Sequence, residues 1–175
     1  VICAAPERVA EELAAKPLWR GVVHLGALDL SADAPPTFEG LGFDSVLDLA
    51  RSSANPGCVW IVTTAAVPAD GVVVRPAAAA MWGLGRTLAQ EHPEWSLRLL
   101  DVESTPATDA WLAAECLRPD AENQLAWRGG LRRAARLTRF APRETNAVKF
   151  DPAATYLITG GLGALGLLTA GWLVE

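Results

Sequence analysis

Short apolar runs alternate along this chain with longer amphipathic stretches, and Pro, Gly, Asp and Asn mark the turns between them. Three runs have the length and composition of buried strands: residues 22–25, 58–62 and 97–102. Four stretches predict helices: residues 6–16, 46–52, 77–91 and a segment from residue 105 or 106 to 117. Strands that alternate with helices in this way indicate an α/β fold with a largely parallel sheet.

Local signals refine several of these boundaries. Pro76 is expected to open its helix, because the first helical position does not need an N–H donor. Asp44 or Ser45 is predicted to cap the helix over 46–52, and the Pro- and Gly-rich residues 31–42 predict a loop. Two strand-like segments, 124–127 and 131–138, flank Arg-Gly-Gly, which is typical of a β-hairpin.

Asp151-Pro152 marks a boundary, after which residues 156–159 predict a strand that leads through a glycine turn into a leucine-rich helix. The chain stops inside this helix, and one strand cannot form a sheet alone. We therefore expect either a truncated unit or a strand donated to the sheet of the preceding domain. The predicted organisation is a truncated Rossmann-like domain over 1–149, followed by the beginning of a second Rossmann unit over 150–175.

The segment from Thr159 to Gly166 carries two overlapping patterns: G-x-G-x-x-G at Gly161, Gly163 and Gly166, and T-G-x-x-G-x-x-G, which uses Gly160 instead. Glycine permits a tight turn, a close approach of the backbone to a pyrophosphate, and close packing of the following helix. The N-terminus of that helix presents N–H groups and a partial positive charge to the anion. The alternative is a glycine turn that serves packing alone.

The predicted cofactor-binding residues all lie in this segment: Thr159, Gly160, Gly161, Leu162, Gly163, Leu165 and Gly166. The residue that reads the ribose is expected about 20 positions further on. That position lies beyond residue 175, so this chain does not distinguish NADP from NAD.

Four other signals have competing interpretations. Leu-Gly-Phe-Asp-Ser over 41–45 is similar to the phosphopantetheine site of an acyl carrier protein, with Ser45 as the modified residue, but a helix start is the simpler interpretation. The uncharged stretch 155–174 has the length of a membrane helix, yet its order predicts strand, turn and helix. The basic stretch 128–149 has the charge of a surface that docks nucleic acid or a carrier protein, but the overall acidity of the chain and the absence of interleaved aromatic residues favour a solvated hairpin face. His24 is expected to be a hydrogen-bonded core residue.

Composition supports a folded, cytoplasmic protein. Hydrophobic residues make up 51% of the chain, and a net charge of -5 gives no reason to expect a nucleic-acid partner. Three widely spaced cysteines argue against a disulfide framework, and no secretory signal is recognisable. No group of residues has metal-ligand spacing, so no metal site is expected.

Six phrases, in order, resemble the ketoreductases of bacterial type I modular polyketide synthases, members of the short-chain dehydrogenase/reductase superfamily. They are GVVHLGALD (21–29), WIVTTAAV (60–67), MWGLGRTLAQEHPEW (81–95), LRLLDVE (97–103), ENQLAWRGG (122–130) and TYLITGGLGALG (155–166). The first five resemble the non-catalytic structural subdomain of these enzymes, and the last resembles the start of their cofactor-binding half.

The resemblance implies a complete domain that uses NADPH to reduce a carrier-bound β-ketoacyl group to a β-hydroxyacyl group. It also implies three kinds of partner: the catalytic half of the same ketoreductase, the acyl carrier protein of the same module, and other synthase domains. The family's Ser, Tyr and Lys lie downstream of residue 175, so no catalytic residue is assigned in this chain.

Two residues at the expected place for the Tyr and Lys support a scaffold role. Trp82 and Arg86 share a helix face after the strand that ends at Thr63-Thr64, but neither side chain releases a proton near neutral pH. The first 149 residues are therefore expected to be a non-catalytic scaffold. The other hypotheses are a stand-alone binding module, either carrier-like or dinucleotide-binding, and a complete small reductase. The absence of any Tyr-x-x-x-Lys disfavours the small reductase.

Overall fold

The structure is a computed structural model that describes residues 8–15, 19–28, 42–52, 55–103, 105, 108–118, 120–140 and 149–174. The chain divides into two compact units, Val1–Arg136 and Leu137–Glu175. The boundary expected from the sequence, between residues 149 and 150, falls inside the second unit and stays a prediction. The loop predicted over 31–42 lies outside the described residues except for Gly42.

The first unit contains one five-stranded sheet, and its strands lie side by side in the order of the sequence. They are β1 (Gly21–His24), β2 (Cys58–Thr63), β3 (Ser96–Asp101), β4 (Gln124–Arg128) and β5 (Leu131–Ala134). The first four strands pair in parallel, and β5 returns antiparallel to β4 as the predicted hairpin. The expectation of an α/β fold with a largely parallel sheet is confirmed.

Five α-helices accompany the strands in the described part of the chain. They are α1 (Val9–Ala14), α2 (Phe43–Arg51), α3 (Pro76–Glu91), α4 (Thr108–Cys116) and α5 (Ala164–Val174). Each lies where the sequence predicts a helix, and Pro76 is the first residue of α3 as expected. α5 has eleven residues, and none of the described helices is long and apolar enough to cross a membrane.

The predicted cap of α2 is wrong. The helix begins at Phe43 rather than after Ser45, and no side chain caps it. Gly42 precedes the helix in the left-handed conformation, at φ 69°, which a glycine adopts without steric cost. Ser45 therefore lies within the first turn, where its hydroxyl donates a hydrogen bond back to the carbonyl oxygen of Gly42 over 2.9 Å.

The sheet has a core on each face, because successive strand side chains point to opposite sides. Ile61 and Leu99 pack on one face with buried residues of α1, α2 and α3. Trp60 and Leu100 pack on the other face, where Leu112 of α4 covers them. The apolar runs of β2 and β3 are thus buried on both faces, as expected of central strands in an α/β fold.

The predicted strand over 156–159 does not form, and this segment is not part of the five-stranded sheet. The prediction of a strand donated to the preceding sheet is therefore wrong. A strand needs a hydrogen-bonded neighbour, and a single extended segment has none. What the structure contains of the expected second unit is the glycine turn and α5.

The basic hairpin is not the freely solvated face that the sequence predicts, because four of its arginines have acidic partners. Arg128 is 3% exposed and pairs with Asp101. Arg132 bridges Glu115 and Asp120, each over 2.7 Å. The other two pairs are Arg133 with Asp70 and Arg136 with Glu122. These pairs remove most of the unbalanced positive charge that the sequence suggests.

His24 is a buried, hydrogen-bonded residue, as expected. Its Nε2 lies 2.7 Å from Ser45 Oγ, while its Nδ1 is buried without a partner. The ring is held between Gly26 and Gly42, where an added Cβ would come within 3.0 Å or less of His24 Cε1. Burial lowers the pKa of His24, and its hydrogen bond to the backbone of Gly42 opposes this effect only in part.

We predict that the chain loses stability as the pH falls below about 6.5, the usual pKa of an unfolded histidine. In that range the unfolded state binds a proton that folded His24 takes up only at lower pH, so the free energy of unfolding decreases. Urea unfolding at about pH 7.5 and about pH 5.5 measures the loss, and His24→Gln should show a smaller one. An equal loss in His24→Gln would show that other groups cause it.

Candidate functional site

The glycine motif forms a tight turn in the second unit. The amide of Gly161 donates to the carbonyl oxygen of Ile158 over 3.2 Å, and the amide of Gly163 donates to that of Gly160 over 2.9 Å. Gly160 has a φ of 71°, in the left-handed region that residues with a Cβ rarely adopt. The backbone therefore turns from residue 158 into α5 within a few residues.

Gly166 lies in the first turn of α5 and is buried, unlike the other described residues of that helix. A Cβ added there would collide with backbone atoms, the carbonyl oxygen of Gly160 and the Cα of Gly161. Backbone atoms cannot move aside as a flexible side chain can, so this position requires glycine. The close packing of helix on turn is the role that the sequence pattern assigns to its last glycine.

The N-terminus of α5 leaves its first backbone amides without acceptors inside the helix. Leu167 N donates to the carbonyl oxygen of Gly163 over 2.9 Å, so the amides of residues 164–166 precede this helical bond. The first turn of α5 contains no acidic side chain, and Leu162 and Leu165 are 95% and 80% exposed. The structure thus brings all seven predicted residues together around one accessible helix N-terminus, which is suited to an anion.

An aromatic cluster that the sequence did not reveal supports this turn. Phe150 packs edge-on against Tyr156 and Trp172, with ring centroids 5.5 Å and 5.1 Å apart. The hydroxyl of Tyr156 accepts a hydrogen bond from the amide of Asp151 over 2.8 Å. These contacts connect the residues before the turn to the far end of α5. The spacing of Phe150, Tyr156 and Trp172 along the sequence follows no helix or strand period, so the sequence pattern does not predict the cluster.

In the first unit, Trp82 lies next to the end of β2, and Arg86 lies beside Trp82 and contacts the start of β4. The indole Nε1 of Trp82 donates to Thr63 Oγ1 over 2.9 Å. The guanidinium of Arg86 lies 5.6 Å from the centre of the Trp82 ring, and its Nε donates to Gln124 Oε1 over 3.0 Å. The arrangement is a cluster in which a hydrogen bond joins Trp82 to Thr63 and a second one joins Arg86 to Gln124.

A buried ion pair at the same edge of the sheet was also missed from the sequence. Asp101 ends β3, Arg128 ends β4, and they are 0% and 3% exposed. The carboxylate of Asp101 also accepts hydrogen bonds from Thr63 Oγ1 over 2.7 Å and from the amide of Ala66 over 3.0 Å. No periodic pattern in the sequence predicts this ion pair. One acidic and one basic residue at strand ends have the same pattern in a sequence as ordinary surface charges.

Two alternative sites find little support. Ser45 is 3% exposed, and its hydroxyl is hydrogen-bonded to His24 and to the carbonyl oxygen of Gly42. The hydroxyl is therefore not accessible for attachment of a phosphopantetheine group. Cys58 and Cys116 are free thiols whose pKa values are raised chiefly by burial. Among the described residues, no three His, Cys, Asp or Glu side chains are grouped as metal ligands would be.

Comparison with known proteins identifies the family. Residues 8–137 match the model of the Rossmann fold domain of the polyketide synthase extender module SpnB. Erythronolide synthase EryA3 of Saccharopolyspora erythraea is 41% identical over 131 residues, 71% of this chain and 4% of that synthase. The pikromycin polyketide synthase component PikAIII of Streptomyces venezuelae is 40% identical over 129 residues, 67% of this chain and 8% of that component.

Solved structures show which part of the synthase is matched. A structure of A-type ketoreductases from a modular polyketide synthase superposes with a TM-score of 0.69 and 30% identity. It covers 97% of this chain, but the chain spans only 38% of that structure. The first ketoreductase of the tylosin synthase matches with the same TM-score and coverage at 29% identity. The chain therefore belongs to the Rossmann fold family of polyketide synthase extender modules and forms the N-terminal Rossmann portion of a ketoreductase domain.

Proposed function

We propose that this chain supplies the scaffold and the phosphate-binding turn of a ketoreductase that uses NADPH. In the complete domain the cofactor provides a hydride that reduces a carrier-bound β-ketoacyl group to a β-hydroxyacyl group. The single observation that carries this proposal is the backbone collision that a Cβ at Gly166 would make with Gly160 and Gly161, because only a glycine there allows α5 to begin so close to the turn.

The residues of the turn fit the pyrophosphate of a dinucleotide. Gly160 and Gly163 leave the surface of the turn free of side-chain bulk, since no Cβ covers it. The amides at the start of α5 have no acceptor inside the helix, so they are suited to an anion, and the helix dipole adds a partial positive charge. The proposed cofactor contacts are those of Thr159, Gly160, Gly161, Leu162, Gly163, Leu165 and Gly166.

The first unit has a different proposed role, as a scaffold without catalytic groups. The resemblance to the reductase superfamily assigns Thr63, Trp82 and Arg86 to the positions of its reacting side chains. The indole of Trp82 donates its single N–H to Thr63 and has no hydroxyl, so it does not replace a tyrosine as a proton donor. The proposed partners are the catalytic half of the ketoreductase, the acyl carrier protein and other domains of the synthase, and the proposed location is the cytoplasm.

We predict that Gly166→Ala weakens NADPH binding to the intact protein that carries this chain by about tenfold or more. The added Cβ displaces the backbone of the turn, and a shift of about 1 Å misaligns the amides that face the pyrophosphate. Fluorescence titration with NADPH measures the dissociation constant.

Gly171→Ala is the matched control, because it lies in the same helix and its added Cβ meets nothing within 4 Å. This variant should bind NADPH as the unmodified protein does, with a helix that is slightly stabilised. Equal NADPH affinity in the two variants would contradict the assignment of the cofactor to this turn.

A further prediction concerns activity. The 175-residue chain by itself should not oxidise NADPH in the presence of a β-ketoacyl thioester, because it contains no Tyr-x-x-x-Lys pair to protonate the developing alkoxide. Absorbance at the NADPH band measures turnover directly. Turnover above the rate without protein would show that the first unit is catalytic and would contradict the scaffold role.

A further inference from the structure

The carboxylate of Asp101 is surrounded by donors on every side that the structure describes. Its Oδ1 accepts from Thr63 Oγ1 over 2.7 Å and from the amide of Ala66 over 3.0 Å. Its Oδ2 accepts from the amides of Ala66 and Val67, over 3.1 Å and 3.3 Å, and from Nη2 of Arg128. Thr63, Asp101 and Arg128 are all buried. A planar anion with two oxygens is therefore held from both sides by neutral and charged donors.

These donors come from the edge of the sheet where doubly wound folds bind ligands. Thr63, Asp101 and Arg128 are the last residues of β2, β3 and β4, which run in parallel. Ligands of open α/β sheets bind outside the carboxyl ends of such strands. The donors thus surround the position where such a fold binds a ligand. In this chain, the side chain of Asp101 occupies that position.

The loop that supplies the amides has the backbone of an anion-binding concavity. Ala65 has a φ of 55°, in the left-handed region, which a residue with a Cβ rarely adopts. Successive amides next to such a residue converge on one point and form a nest for an anion. The amide of Arg75 donates to the carbonyl oxygen of Ala65 over 2.8 Å and holds this conformation.

We propose that Thr63, Ala66, Val67 and Arg128 form a carboxylate-binding site whose permanent ligand is Asp101 of the same chain. This site is distinct from the glycine turn, and the proposed cofactor role does not depend on it. Because Asp101 occupies this site, external ligands cannot bind at the carboxyl ends of β2, β3 and β4. A small monocarboxylate binds there once the side chain of Asp101 is shortened.

Asp101→Ala tests the proposal, because it removes the carboxylate and leaves the donors in place. Formate has the size of the missing group. The folding equilibrium constant of the full chain is measured by urea unfolding in sodium formate and in sodium chloride of equal ionic strength. Formate at about ten times its dissociation constant should raise the folding constant about tenfold over chloride, and the increase should be linear in formate concentration.

Three controls separate a site from a general salt effect. The unmodified chain and Asp101→Asn, in which a side chain fills the site, should respond equally to the two salts. Asp101→Ala combined with Arg128→Met, which removes the cation, should also show no preference for formate. A formate effect that is the same in all four proteins would overturn the proposal.

The proposal stays testable if Asp101→Ala does not fold in chloride, because a second variant, Asp101→Gly, can be paired with a second ligand, acetate. Formate should then restore the far-ultraviolet circular dichroism of the folded chain. Asp101→Gly, which lacks one more carbon, should prefer acetate to formate. Variants that stay unfolded in both carboxylates, or that fold without distinguishing them from chloride, would overturn the proposal.

Discussion

Asp101→Asn should lower the free energy of unfolding by about 3–5 kcal/mol, the usual cost of breaking a buried ion pair from one side. The amide keeps the size of the side chain but leaves the charge of Arg128 without a counterion in a position that is 3% exposed. It also turns one acceptor into a donor facing the amides of Ala66 and Val67. Urea unfolding at neutral pH, followed by tryptophan fluorescence, measures the change.

Asp70→Asn provides the matched control for this prediction. Asp70 pairs with Arg133 over 3.1 Å, but both side chains are 46% exposed. The position has a φ of 54°, which asparagine tolerates well, so the substitution changes charge without backbone strain. Its effect should stay below about 1 kcal/mol. Equal effects at Asp70 and Asp101 would mean that the buried pair contributes no more than an exposed one.

The second large effect concerns the contact of α3 with β3. Gly85 is buried in α3, and a Cβ added there would collide with Cδ2 of Leu99, which is 1% exposed. Gly85→Ala should cost about 1–3 kcal/mol, because it overpacks the core. Leu99→Ala should cost about 2–5 kcal/mol, because it removes buried methyl groups and leaves a cavity.

The double variant is the informative one. The new methyl group of Gly85→Ala enters the space that Leu99→Ala vacates, so the two costs should not add. We expect the double variant to be more stable than the sum of the single effects by about 1 kcal/mol or more, measured as a double-mutant cycle of urea unfolding. Additivity within about 0.5 kcal/mol would show that helix and strand adjust without this contact.

Much of the fold could be predicted from the sequence, because local signals determine it. The apolar runs of β2 and β3 predict central strands, Pro76 begins α3, and the glycines at 129 and 130 form the hairpin turn. The glycine turn before α5 was also predicted, together with the close packing at Gly166. In each case the signal is local: an apolar run predicts burial, proline suits the first position of a helix, and glycine adopts backbone conformations that other residues rarely do.

The remaining features depend on contacts between distant residues, which one sequence does not display. Asp101 and Arg128 are 27 positions apart and meet only because β3 and β4 are neighbours. The strand expected over 156–159 has the right composition, but its formation requires a neighbouring strand. Ser45 has the residue type of a helix cap, yet Gly42 and the buried ring of His24 determine where α2 begins.

Strand order in the first unit has a consequence for synthesis of the protein. Each strand pairs with the one that precedes it in the chain, so the sheet can lengthen strand by strand as residues leave the ribosome. No early strand has to wait, unpaired, for a partner that is encoded much later. Such local pairing shortens the exposure of bare strand edges and favours vectorial folding of the N-terminal unit first. In the very long polyketide synthases that this chain resembles, such a unit can be complete while downstream domains are still being translated.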